Sequence, residues 1–213
     1  MATSGSRDFD IDVADIIEEA YERCGLEVRT GYDTTTARRS LNLMFADWAN
    51  RGLNLWTVTQ ATQSLTSGTA TYTFTTAYTD ILEVVLRRIS RSQYLSIPNK
   101  DTTGKPSQFY YSRLNTPTIT LWPTPDSSSD SLVYYYVNRI QDVDALVNTT
   151  DAPFRFLPCM VSGLAYYIAM KKAPERVQLL KSVYEEEFQR AADEDEDRVS
   201  LKLQPSIQYL RVN

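Results

Sequence analysis

The side chains that could do chemistry in this chain are acids, lysines, tyrosines and two cysteines, because its 213 residues include no histidine. Histidine is the usual general base and the commonest metal ligand, so its absence excludes serine and cysteine triads, zinc hydrolase sites and most redox-metal sites. What remains is carboxylate chemistry. Glycoside cleavage, its clearest form, needs two carboxyl groups at a defined separation, one held in an apolar setting that raises its pKa. Asp47 beside Trp48, and Glu83 between Leu82 and Val84, come nearest to that setting, and each reads more simply as a surface acid. Cys24 and Cys159 are too few for a disulfide framework, are not spaced as metal ligands, and fall inside helical apolar patterns where a buried thiol is expected. No catalytic, cofactor-binding or metal-binding residue is assigned, and no cofactor is expected.

The other candidates bind rather than react. Arg87, Arg88 and Arg91 form the densest basic patch of the strand-rich middle, with Lys100 and Lys105 following. They could line a channel and touch DNA phosphates, or, more simply, form a solvated strand face that pairs with acids on a neighbouring subunit. Arg38 and Arg39 flank the apolar stripe of a helix and are expected to pair with the acidic first helix of the same or a neighbouring copy. A formal net charge of −5 argues against a protein that coats nucleic acid, while leaving room for a wall that DNA slides past. The 14 tyrosines, several in runs, suit subunit contacts as well as cores. Trp48, Trp56 and Trp122 are expected to anchor a core or a join between domains, and the polar loop 99–107 to be an exposed tip.

The elements that must position these residues follow from periodicity. Helical spacing of Ile11, Ala14, Ile17, Ala20, Tyr21 and Cys24 predicts a helix over 8–24, ended by Gly25. Ala37, Leu41, Met44, Phe45 and Trp48 predict a second over 34–51, capped by Asp33 or Thr34 and joined to the first through a loop containing Gly31. From Leu55 the period falls to two and threonine dominates. LWTVTQATQSLT and TATYTFTT, about Ser67 and Gly68, predict a hairpin; DILEVVLRRIS and SQYLSIP predict a second strand pair, and three further strands follow. Helix returns over 153–172 and, after Ala173, over 174–192. Two helices, a block of strands and two helices indicate an α+β protein: terminal helices in an antiparallel helical bundle (8–54 and 141–192) with an inserted antiparallel β-sandwich or barrel-like domain (55–140). No stretch has the length of unbroken apolar sequence that a membrane span needs, and no signal peptide precedes the first helix, so the chain is expected to stay in the cytoplasm or in something assembled there.

The end of the chain, 193–213, reads differently. Five consecutive acids at 193–197 leave no apolar stripe, so the last helix is expected to emerge into solvent and fray. Then Val199, Leu201 and Leu203 alternate with Ser200, Lys202 and Gln204, Pro205 stops the pattern, and Ile207, Tyr209, Leu210 and Val212 follow. Disordered tails are poor in such residues, and an alternating strand outside the fold suits addition to a partner's sheet edge. An extended C-terminal arm between molecules is therefore favoured over packing back on its own domain or disorder.

Several stretches carry a resemblance: TTTARRSLNLMFADWANRGLNLW, TITLWPTPD, VYYYVNRIQDVDA and APFRFLPCMVSGLAYYIAMKKAPERVQLLKSVYEEEF, spanning about 10–197. With the element order, they make the chain similar to the head-to-tail adaptors of tailed bacteriophages, called tail accessory or tail tubular A proteins in short-tailed phages. That resemblance implies a virion protein without a cofactor, made in the bacterial cytoplasm. It implies a ring of about twelve copies beneath the portal that extends the DNA channel. The helices would wedge side by side, the β domain would face the next tail component, and Val199, Leu201, Leu203, Ile207, Tyr209 and Leu210 would form a portal-binding arm. Contact with genomic DNA in the channel would be transient and non-specific, with no membrane involved. A virion-associated peptidoglycan-cleaving enzyme is the alternative from the enzyme class, and a host-binding tail protein a weaker third.

Overall fold

A computed structural model describes residues 5, 9–52, 55–75 and 77–195. Helix α1 (Val13–Arg23) starts later than expected because Asp12 caps it, accepting from the Asp15 amide at 2.9 Å. Helix α2 (Gly31–Arg51) starts earlier: Thr30 is its cap, and Asp33, at the third helical position, returns a bond to the Thr30 amide in a reciprocal capping box. Gly31 therefore opens the helix and does not belong to the loop. Strands β1 (Val58–Ser64), β2 (Thr71–Thr73), β3 (Tyr78–Val84) and β4 (Arg87–Ile89) follow, then the short helix α3 (Arg91–Leu95). Strands β5 (Gln108–Ser112), β6 (Thr118–Trp122) and β7 (Ser131–Asn138) precede a 3-10 turn over Phe154–Phe156 and helix α4 (Leu157–Lys172). A second 3-10 turn over Pro174–Arg176 leads into α5 (Val177–Asp195).

The described residues form a mixed α+β molecule of five helices and two sheets, with strand orders β1-β7-β3 and β2-β6-β5-β4. Neither sheet closes, so the barrel-like form is not adopted. The expected hairpin is not formed either. β1 pairs along its length with β7, from Val58 opposite Val137 to Ser64 opposite Ser131, while β2 pairs with β6. The intervening turn has Gly68 at a φ of 79°, and it hands the chain from one sheet to the other. Leu65 before it and Tyr72 after it both enter the shared cluster, and the Thr66 amide donates to the Tyr72 hydroxyl at 2.8 Å. Burying both apolar groups is what separates the strands. The segment expected as one strand around DILEVVLRRIS splits into β3 and β4, which lie in different sheets, and β4 runs parallel to β5 in an otherwise antiparallel set. The SQYLSIP segment is α3, begun by a capping box between Ser90 and Gln93.

Two apolar clusters result. Helices α1, α2, α4 and α5 share the larger, with Trp48, Tyr21, Tyr184 and Phe156 fully buried at its centre. Trp48 Nε1 donates to the Tyr184 hydroxyl at 2.8 Å, which lets both polar atoms enter the core without an unmet bond. Gly163 on α4 makes this approach possible: a Cβ there would lie 2.4 Å from the Met44 sulfur and 2.7 Å from the Tyr184 ring. The second cluster joins inward residues of both sheets, including Ile81, Phe109, Ile119, Leu121 and Tyr134. Fully burying one such side chain contributes about 1.5–3 kcal/mol.

The last helix also departs from expectation. It runs to Asp195, whose buried carboxylate accepts the Leu55 amide at 2.9 Å and pairs with Arg155. Two donors compensate that one acid, so the acidic run does not end the helix at Ala192.

Candidate functional site

The predicted basic patch divides. Arg88 stays exposed on β4 and lies over the Tyr111 ring at 5.6 Å. Its guanidinium donates to the Ile81 carbonyl at 3.0 Å and reaches Asp80 at 3.1 Å, and Arg113 holds the other oxygen of the same acid. Arg88 and Tyr111 belong to one sheet and Asp80 to the other, so this cluster ties the two sheets together. Burial, and secondly the Asp80 charge, push the Tyr111 hydroxyl above its ordinary value near 10.0. Arg88 thus has partners within its own chain.

Arg91 faces outward. Its Nε donates to the Tyr110 hydroxyl at 3.2 Å, and this bond, before a second one involving Ser112, draws the Tyr110 pKa down while raising that of Arg91. Tyr94 of α3 stacks on Tyr110 with centroids 5.6 Å apart and planes 14° from parallel, and Lys100 Nζ lies 5.6 Å from the Tyr94 centroid. Trp122 Nε1 donates to the Asn99 carbonyl at 3.1 Å and fixes the loop behind them. Trp122 therefore anchors a loop, in contrast to Trp48. With Arg87 exposed on the same edge strand, the surface offers cations and stacked aromatic faces on an open plane. Such a plane can meet phosphates or an acidic protein surface; it does not enclose a small molecule. Sequence reading missed this ladder because it missed α3. The signal was present in the Ser90-x-x-Gln93 spacing, a capping box hidden by the neighbouring strand pattern.

On the helices, Arg38 donates to the Asp144 carbonyl, not to α1, and Arg39 is exposed. The strong charge pairs lie elsewhere. Lys172 holds Asp33 and sits 5.1 Å over the Tyr21 ring; with backbone bonds from Arg29 and Thr30 it lowers the Asp33 pKa to about 2. Arg51 bridges Asp47 at 2.7 Å and Glu185 at 2.7 and 3.1 Å while covering Tyr184 and Phe188. Asp47 accepts from the Arg51 guanidinium and so belongs to an ion pair. Burial raises the pKa of both thiols, Cys24 and Cys159. Among the described residues no group of acids and cysteines is gathered for a metal ion, and no helix is long and apolar enough to cross a membrane.

The predicted arm residues Val199, Leu201, Leu203, Ile207, Tyr209 and Leu210 lie outside the described residues. A family model described as SU10 adaptor protein matches residues 11–206, most of the chain and the first part of that segment. No curated protein matches the sequence.

Proposed function

Because the chain belongs to the SU10 adaptor protein family, a structural family of phage head-tail adaptors, we propose that it is the ring-forming connector between the portal and the tail of a virion. In this reading α1, α2, α4 and α5 form the ring-building bundle, the strands between them make a separate domain directed toward the next tail component, and the C-terminal arm reaches the portal. The observation that carries it is the family match across 11–206, which takes in both helical ends and the strands together.

Two physical features support it. Leu43 on α2, Met170 on α4 and Leu179 on α5 stay exposed on helices whose other faces are buried, so each helix retains apolar surface for a lateral neighbour. The outward cations Arg87 and Arg91 provide phosphate contacts on an acidic chain, as a channel wall touched only in passing requires. Assembly then works by multivalency: weak lateral contacts suffice once the portal presents repeated docking sites.

The test is the native mass of the protein alone and after mixing with the portal ring of its own phage. A free monomer that becomes a ring of fixed stoichiometry on the portal is the expected result. Folded, full-length protein that leaves the portal bare would overturn the reading.

A further inference from the structure

An open groove of about 500 Å³ runs between the outer face of α1 and the start of α4. Its floor is apolar, built from Phe9, Phe154, Leu157 and Val161 among others. Phe9 and Phe154 meet edge to face at 6.5 Å, yet they remain 67% and 69% exposed. The rim is acidic. Arg23, the one cation lining the groove among the described residues, is tied to Glu19 at 3.0 Å, and Asp15, Glu18 and Glu22 make no ion pair there. An occupant must therefore present an apolar side to the floor and positive charge to the α1 rim.

The chain carries such a segment. Asp195, the last described residue, pairs with Arg155, the residue after Phe154 of the groove wall. Beyond it, residues 198–213 contain Arg198, Lys202 and Arg211 and no acid. In an extended chain Val199, Leu201 and Leu203 share one side and Arg198 and Lys202 the other. The two cations would stand about 13 Å apart, against about 10 Å between Asp15 and Glu22 along the helix. Seven extended residues reach about 23 Å, enough to cover the roughly 16 Å length of α1.

We propose that in the free protein this groove seats the chain's own segment 198–204, apolar side down, with Arg198 and Lys202 against the acids of α1. The seat is a property of the unassembled chain and does not rest on portal binding. A segment lying there must leave before it can dock elsewhere, so partner and groove compete for it.

The test uses full-length protein carrying Glu22→Cys and Lys202→Cys, with oxidation at low protein concentration. The native thiols are 2% and 0% exposed, so the engineered pair reports alone. An intramolecular disulfide at monomer mass is expected. A linked dimer would assign the groove to another copy's segment and overturn the proposal, as would free thiols in a chain whose helices keep normal hydrogen-exchange protection. Trypsin gives an independent reading at Arg198 and Lys202 in the otherwise native chain. Cleavage should be about tenfold faster after Glu18→Lys with Glu22→Lys, because the rim no longer holds the segment closed; unchanged rates would overturn the proposal. Failure of portal binding would leave both readouts as they are.

Discussion

The helical core and the strand cluster solve the same problem with opposite treatments of charge. Among the helices, cations are drawn against the core and saturated: Arg51 takes two acids and two aromatic faces, Lys172 takes Asp33 and Tyr21, and Arg155 takes Asp195. Among the strands Arg88 and Arg113 pair with Asp80 yet stay 44% and 61% exposed, while Arg87 and Arg91 remain on the outside. The helical region thus ties three cations against its core, and the strand region pairs its cations at an exposed margin around Asp80.

The comparison breaks most visibly at the two cores. Trp48→Ala is expected to destabilise the helical core by about 3–5 kcal/mol, and Phe109→Ala the strand cluster by a similar amount. If the regions unfold separately, calorimetry will show each substitution moving a different transition; one shared transition moved by both would merge them. Gly163→Ala comes next. A single methyl placed between Met44 and Tyr184 should cost about 2 kcal/mol by denaturant titration, whereas a methyl at exposed Gly52, with nothing within 4 Å, meets no such contact. Asp195→Ala leaves the Leu55 amide and Arg155 without their acceptor and should cost about 1.5 kcal/mol, with faster exchange of the Leu55 amide as its signature.

Acid sharpens the contrast further. Asp33 ionises at about 2 in the folded chain, below its ordinary value near 3.8. A depressed carboxylate pKa stabilises the fold above the unfolded value, and that contribution is lost as pH falls from about 4 toward 2. Stability measured across that window should fall less steeply in Asp33→Asn than in the parent chain. The smallest effect is expected at the surface ladder: Arg91→Ala should change stability by less than about 0.5 kcal/mol, while weakening any salt-dependent retention on DNA. Loss of fold there would place the ladder with the structural pairs.

The helices were largely legible because their apolar spacing is written locally: Ala37, Leu41, Met44, Phe45 and Trp48 are all buried as their period of near four predicts. The β block was legible as strands but not as a pairing scheme. Threonine-rich alternation around Ser67 and Gly68 reads equally as a hairpin or a crossing between sheets, and the choice is made by β7, some seventy residues on, pairing with β1. Arg88 and Arg91 are alike in sequence and differ in partners, since Arg88 lies on β4, whose side is fixed by its pairing with β5, while Arg91 opens α3. Asp195 was misread with its neighbours. Nothing in a run of five acids distinguishes the one that meets Arg155, and that meeting spans 40 residues.

The hydrogen bond from Trp48 to Tyr184 joins residues 136 apart, and it has a consequence for how the molecule is made. During synthesis α1 and α2 emerge first and must wait, with one apolar face open, while every strand is translated and α4 and α5 arrive to cover them. The strand cluster draws its residues from 65–136 and can condense before those helices exist. On the ribosome the inserted block therefore has the first opportunity to fold, and the framework that carries it closes only once α4 and α5 have followed.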